Sequence, residues 1–336
     1  MELLFAVVVL VALAFTFMNG FHDMGVTLGN VVAARALEPR VAVWLAVVFN
    51  FVGALVGQSL AEVFARYVVD FPPDAVDTMA IIIAGLLGGL VVNIVTYVMA
   101  IPVSSTHCLI GGLLGAGIVF GAHIDEAAFG TQVLAPLLVA PVIAFAFSFV
   151  LMAVLARLAG TAAPKHLFRT ARKVDSVLVG GLALAHGVQS AQKSAALVMI
   201  AWYAIETGGA DEVPESFTVS WWVRISVALV LALGTGLSGW RVARTVSVRM
   251  VRMDPVRAVV SDITSATYLL SAAFFHALPT SQSYTVVAAN LGTQFIGPRT
   301  TIRIRYLLPT AAMWLLCIPV CGVLGAVFAG PMLLLD

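Results

Sequence analysis

The chain has 336 residues, 61% of them apolar and only 10% charged, with a mean hydropathy of +1.04. Soluble domains carry about 25% charged residues, so the composition excludes an ordinary soluble globule and leaves room for roughly eight to twelve membrane-crossing helices. A net charge of +1 offers no concentrated basic face for nucleic acid.

Taken in chain order, continuously apolar segments lie near residues 2–34, 41–65, 78–100, 102–120, 132–156, 175–204, 219–240, 259–276, 279–296 and 306–330, which predicts ten crossings. Their unbroken Leu, Ala and Val content excludes a transmembrane barrel, whose strands alternate apolar with polar residues. Helices remain as the way to satisfy the backbone in lipid, so the expected fold class is an all-α polytopic membrane protein. The opening run MELLFAVVVLVALAFTF lacks a basic leader region and a cleavage site and reads as a retained first helix. Cys108, Cys317 and Cys321 include no CxxC pair and read as small core residues, suggesting neither a disulfide framework nor a zinc site.

Loop charges set the orientation. Arg35 and Arg40, the loop with Arg157, Lys165, Arg169, Arg172 and Lys173, the loop with Arg241, Arg244, Arg249, Arg252 and Arg257, and Arg299, Arg303 and Arg305 hold fifteen of the eighteen basic residues. All fall on one side, which the positive-inside rule makes cytoplasmic. Asp70, Asp74, Asp77, Asp125, Glu126, Glu206, Asp211, Glu212 and Glu215 fall on the other. Ten crossings satisfy that parity with both termini outside.

The chain also reads as an internal repeat. Gly20-Phe21-His22-Asp23 interrupts the first apolar segment and Pro102-Val103-Ser104-Ser105-Thr106-His107 opens the fourth. Gly187-Val188-Gln189-Ser190 and Pro279-Thr280-Ser281-Gln282-Ser283-Tyr284 hold the matching places, 167 and 177 residues on. Five crossings per half is an odd number, so the second half must insert upside down, which is the inverted-repeat architecture of secondary transporters with interrupted helices. The expected organisation is a first transmembrane repeat over 1–158, a basic cytoplasmic linker over 159–174 and a second, inverted repeat over 175–336.

Asp23 and Lys193 are charges deep in apolar segments, each costing at least roughly 2.5–3.5 kcal/mol there, and such residues mark ligand or coupling-ion sites. Ser104, Ser105 and Thr106 follow Pro102, and Ser281 and Ser283 follow Pro279, so each cluster is expected at the first turn of a helix that starts inside the membrane. Hydroxyls and unpaired N–H groups together there suit an oxyanion. The imidazole of His22, beside Asp23, is suited to carrying a coupling proton, with a hydrogen-bonded structural histidine as the alternative. No HExxH and no nucleophile with an adjacent base is present, so no enzyme is expected.

Asn19-Gly20-Phe21-His22-Asp23 resembles the NGFHD or NGAND signature of the inorganic phosphate transporter (PiT) family, and Pro102-Val103-Ser104-Ser105-Thr106-His107 resembles its P-x-S-[ST]-T-H element. His186-Gly187-Val188-Gln189-Ser190-Ala191-Gln192-Lys193 resembles a worn copy of the family's second signature, with Ser190 where an aspartate would stand. The resemblance implies a symporter of inorganic phosphate in the cytoplasmic (inner) membrane, with substrate bound by Asp23, Ser104, Ser105, Thr106, Gln192, Lys193, Ser281 and Ser283. Asp23 and His22 would serve the coupling ion. The missing aspartate favours a proton over sodium, and sulfate or another tetrahedral oxyanion is the alternative substrate. No cofactor, metal or nucleic acid is expected. The expected partners are the oxyanion, the coupling proton or sodium, the lipid bilayer and a second copy of the chain in a homodimer.

Overall fold

The computed structural model describes residues 1–57, 59–159, 164–207, 217–276, 278–296 and 301–334, and every regular element among them is helical. The first half contains α1 (Glu2–Ala33), α2 (Pro39–Val56), α3 (Ser59–Tyr67), α4 (Ala75–Met99), α5 (Ser105–Val119), α6 (Glu126–Ala128) and α7 (Ala135–Ala159). The second contains α8 (Pro164–Thr207), α9 (Trp221–Gly236), α10 (Trp240–Arg244), α11 (Pro255–Phe274), α12 (Gln282–Gly292) and α13 (Ile304–Ala329). Single π-helical stretches, Phe129–Leu134 and Thr245–Met250, lead into α7 and follow α10.

By length and composition, α1, α2, α4, the run 126–158 and α13 suffice to cross a membrane, and the run 221–250, bent by 54°, makes a sixth. The chain is therefore an all-α, multi-pass membrane protein. Side chains such as Trp44, Val142, Leu229, Leu315 and Val323 face outward as a lipid-contacting surface. The 44-residue α8 falls short on apolarity because Gln189, Ser190, Gln192, Lys193 and Ser194 fill its middle.

Of the interruptions expected, those in the first and sixth apolar segments are absent from the backbone, and those after Pro102 and Pro279 are present. α1 and α8 run unbroken through Asp23 and Lys193, so their polar motifs interrupt the hydropathy and not the backbone. The breaks lie at residues 100–104 and 278–281, where Pro102 and Pro279 precede the expected helix starts. Ala100 ends α4 in the left-handed region at φ 57°, Pro102 blocks helical continuation, and Ser104 caps α5 by accepting from the His107 amide. Ser281 caps α12 in the same way through the Tyr284 amide. At 15 and 11 residues, α5 and α12 extend only about 22 and 16 Å, shorter than the roughly 30 Å hydrocarbon core of a bilayer. The basic stretch assigned to a linker over 159–174 is helical from Pro164 and forms the first turns of α8.

Helices of the two halves pack in exchange, α2 against α8 and α9 against α1, α5 against α13 and α12 against α7. Glycines set the closest crossings. A methyl group at Gly20 would lie 2.4 Å from the Leu231 carbonyl oxygen, and one at Gly187 2.2 Å from that of Asn50. Gly53 and Gly234 meet the Leu184 and Phe17 carbonyl oxygens, each at 2.2 Å. These contacts repeat at two constant offsets, 167 residues for α1 to α8 and 181 for α2 to α9.

Basic residues gather along one set of connections. Lys165, Arg169, Arg172 and Lys173 line a groove with Ala36, Arg172 donates to the Ala34 carbonyl at 2.9 Å, and the Arg303 amide donates to Met250 at 2.9 Å. Asp70 pairs with His123 at the start of the α3–α4 connection. Asp211, Glu212, Glu215 and Arg299 lie outside the described residues. The three cysteines are buried, as read from the sequence, but they are also together, between α5 and α13.

Candidate functional site

The site forms where the first turns of α5 and α12 meet the middles of α1 and α8. Ser105 donates to Asp23 Oδ2 at 2.8 Å and Ser283 donates to Asp23 Oδ1 at 3.0 Å. His22 Nδ1 lies 3.1 Å from Oδ1. Ser105 Oγ is also 3.0 Å from Asn93 Oδ1 on α4, so one hydroxyl proton faces two acceptor oxygens. On the next residue of α5, Thr106 Oγ1 accepts from Lys193 Nζ at 2.5 Å and itself donates to the Thr280 carbonyl at 3.3 Å. All of these side chains are buried, and no ion pair within 4 Å joins Asp23 to Lys193 among the described residues.

An acid and a base, one on α1 and one on α8, are thus held by consecutive residues of one helix start. A helix start leaves its first N–H groups without intrahelical acceptors, so α5 and α12 bring amides as well as hydroxyls to this point. Around it, several buried polar atoms lack a partner: both amide atoms of Asn19, one turn before Asp23, with Thr280 Oγ1, Ser194 Oγ and His22 Nε2. An unpartnered buried polar group costs about 1–3 kcal/mol, which a polar ligand offsets. Ammonium, hydroxyls and amides suit an oxyanion, and the oxygens of Asp23, Asn93, Ser105 and Ser283 suit a proton or a hard cation.

Of the residues expected to bind substrate, Asp23, Ser105, Thr106, Lys193 and Ser283 meet here, with His22. Ser104 and Ser281 are the helix caps, positioning their neighbours through the amides of His107 and Tyr284. Gln192 points elsewhere: its Oε1 accepts from the amides of Leu60 at 2.6 Å and Ala61 at 3.0 Å, closing the start of α3. Two participants escaped the sequence reading. Asn93 is the one amide in a glycine-rich apolar helix, a signal as legible as Asp23 was. Gln189 accepts from the Thr280 amide at 3.2 Å, tying α8 to the stretch before α12.

The profile of the phosphate transporter family matches residues 19–180 and 161–325 of this sequence. The chain belongs to that family. A "Probable low-affinity inorganic phosphate transporter" of Mycobacterium leprae (strain TN) is 34% identical over 330 residues, covering 96% of this chain and 77% of the relative. One of the same description from Bacillus subtilis (strain 168) is 30% identical over 329 residues, covering 95% and 94%. Family and relatives are transporters and not enzymes. A solved structure, "The sodium-dependent phosphate transporter", superposes with a TM-score of 0.86 over 99% of this chain and all of that one, and at 18% identity the likeness concerns the fold.

Proposed function

We propose that this transporter carries inorganic phosphate with a coupling cation across the cytoplasmic membrane, by alternating access between inverted halves at 1–158 and 175–336. The observation that carries the reading is the adjacency of Ser105 and Thr106, the first holding Asp23 and the second Lys193. An oxyanion that takes the lysine from Thr106 disturbs the same turn of α5 that orients the carboxylate, so binding at one charge is felt at the other. Phosphate keeps a proton at neutral pH and offers a donor to acceptors such as Asp23 and Asn93, whereas sulfate offers none. The paired glycine contacts at constant offsets and the paired caps Ser104 and Ser281 support two equivalent halves.

Two observations bear on the cation. Ser190 stands where the related signature carries an aspartate, which removes an anionic ligand and favours a proton. The converging oxygens of Asp23, Ser105, Ser283 and Asn93 favour sodium, as does the fold shared with a sodium-dependent transporter. The experiment is uptake of labelled phosphate into proteoliposomes under an imposed proton or sodium gradient, with sulfate and arsenate as competitors. Competition by arsenate is expected; competition by sulfate without arsenate overturns the phosphate assignment, and uptake indifferent to both gradients overturns coupling.

A further inference from the structure

The chain has three cysteines, and all three converge although they come from distant parts of the sequence. Cys108 projects from α5 and Cys317 and Cys321 from successive turns of α13, with all three Sγ atoms within 4.8 Å of one another. Cys108 Sγ and Cys317 Sγ are 3.2 Å apart. None of the three is solvent-exposed; Val92, Val103, Met313 and Leu324 pack around them, and the Tyr284 hydroxyl reaches Cys317. Cys317 Sγ lies 3.8 Å from the Ser104 carbonyl, at the turn that opens α5.

We propose that these thiols form a three-sulfur site for a neutral, trivalent thiophilic centre, represented by arsenous acid. Charge decides between thiophilic ligands. Three thiolates around a monovalent soft ion such as Cu(I) leave two net negative charges, and around Zn(II) they leave one; either is costly in an apolar cluster without counter-charge. Trivalent arsenic leaves none. The exchange needs no oxidant: three As–O bonds break, three As–S bonds form, and each thiol proton leaves with a hydroxide as water. Arsenous acid is itself a small neutral molecule, so no charge has to pass through the surrounding packing. Zinc also seeks a fourth ligand, and among the described residues no histidine, carboxylate or further cysteine joins the three sulfurs; the polar atoms beside them are the Tyr284 hydroxyl and the Ser104 carbonyl, both neutral. An occupied site ties the start of α5 to α13 directly behind Ser105 and Thr106.

The test uses the full-length chain, purified in detergent under reducing conditions and incubated with sodium arsenite. After gel filtration, elemental analysis is expected to find one arsenic per chain. Maleimide labelling on unfolding should then show all three thiols protected, and the melting temperature should rise. Cys108→Ser, Cys317→Ser and Cys321→Ser should each weaken retention by about tenfold or more and abolish the rise in melting temperature. The thiol protection is read on the unsubstituted chain, so it stands even where a variant fails to fold. Three freely labelled thiols after arsenite treatment, or equal arsenic retention by the triple serine variant, overturns the site. Retention of Cu(I) or Zn(II), one per chain, with no arsenic retained overturns the assignment to a neutral centre.

Discussion

Ser105 and Ser283 donate to opposite oxygens of a single carboxylate, Asp23, at 2.8 and 3.0 Å. One acid on α1 therefore holds the first turns of both short helices, and the two hydroxyls act on it as one unit. Ser105→Ala and Ser283→Ala should each weaken coupling-cation affinity by about 1.5–3 kcal/mol, the worth of a hydrogen bond to a charged group. The double variant should lose less than the sum, because both substitutions act through the same side chain. Cation titrations of uptake in proteoliposomes measure this, and strictly additive losses would contradict a shared carboxylate.

Lys193 is expected to carry the anion. Lys193→Ala should abolish phosphate binding in purified protein, whereas Thr106→Ala, which removes one hydrogen bond to the ammonium and keeps the charge, should cost about 1.5–3 kcal/mol. Asp23→Asn should keep measurable phosphate binding and lose the dependence of uptake on the cation gradient. Normal phosphate affinity in a folded Lys193→Ala protein would make the lysine a structural partner.

The helix crossings predict sharply graded effects of adding one methyl group. Gly20→Ala and Gly187→Ala force a carbon to within 2.4 and 2.2 Å of a backbone oxygen and should both lower the melting temperature in detergent markedly. Gly181→Ala, in α8 with open space around it, should raise stability by about 0.5–1 kcal/mol, the ordinary helical gain over glycine. Tolerance of alanine at Gly20 or Gly187 would mean that the helices do not approach this closely.

Ala100 closes α4 in the left-handed region with a side chain that disfavours it. Ala100→Gly should therefore stabilise the protein by about 1 kcal/mol, and Ala100→Val should destabilise it, as thermal unfolding would register. Equal stabilities of the three proteins would contradict this turn.

Orientation is tested by labelling. Single cysteines at Arg169 and Asp74, added to a chain whose natural cysteines are buried, should react with an impermeant maleimide from opposite faces of the membrane, Arg169 from the cytoplasm. Labelling of both from one face would contradict the charge-based topology.

Much of the site was legible because hydrocarbon penalises polarity so heavily. Asp23 and Lys193 stand out as charges among apolar residues, and the serines stand out because a proline precedes each cluster. Less legible was the division of labour within a cluster. Ser104 and Ser105 are neighbours of the same type, yet one caps and the other reaches the carboxylate, and only the cap geometry separates them. Gln192 sits beside Lys193 but turns about 100° around α8, far enough to serve α3. Hydropathy also misled on the backbone, since Gly20 to Asp23 break an apolar run with residues that a packed helix accommodates. The cysteine cluster was invisible because its members are separated by up to 213 residues.

The exchanged packing of the helices bears on how the protein is made. When the ribosome has released α1 and α2, neither has met the helix that covers its glycine face, because those partners are α9 and α8. The glycine faces of α1 and α2 can therefore close only once the second half has been inserted, whereas α4 and α5 pack on each other through Gly85 and Gly112 within the first half. Assembly is in this sense post-insertional, and a chain ending before α8 would leave the glycine faces of α1 and α2 without the helices that cover them.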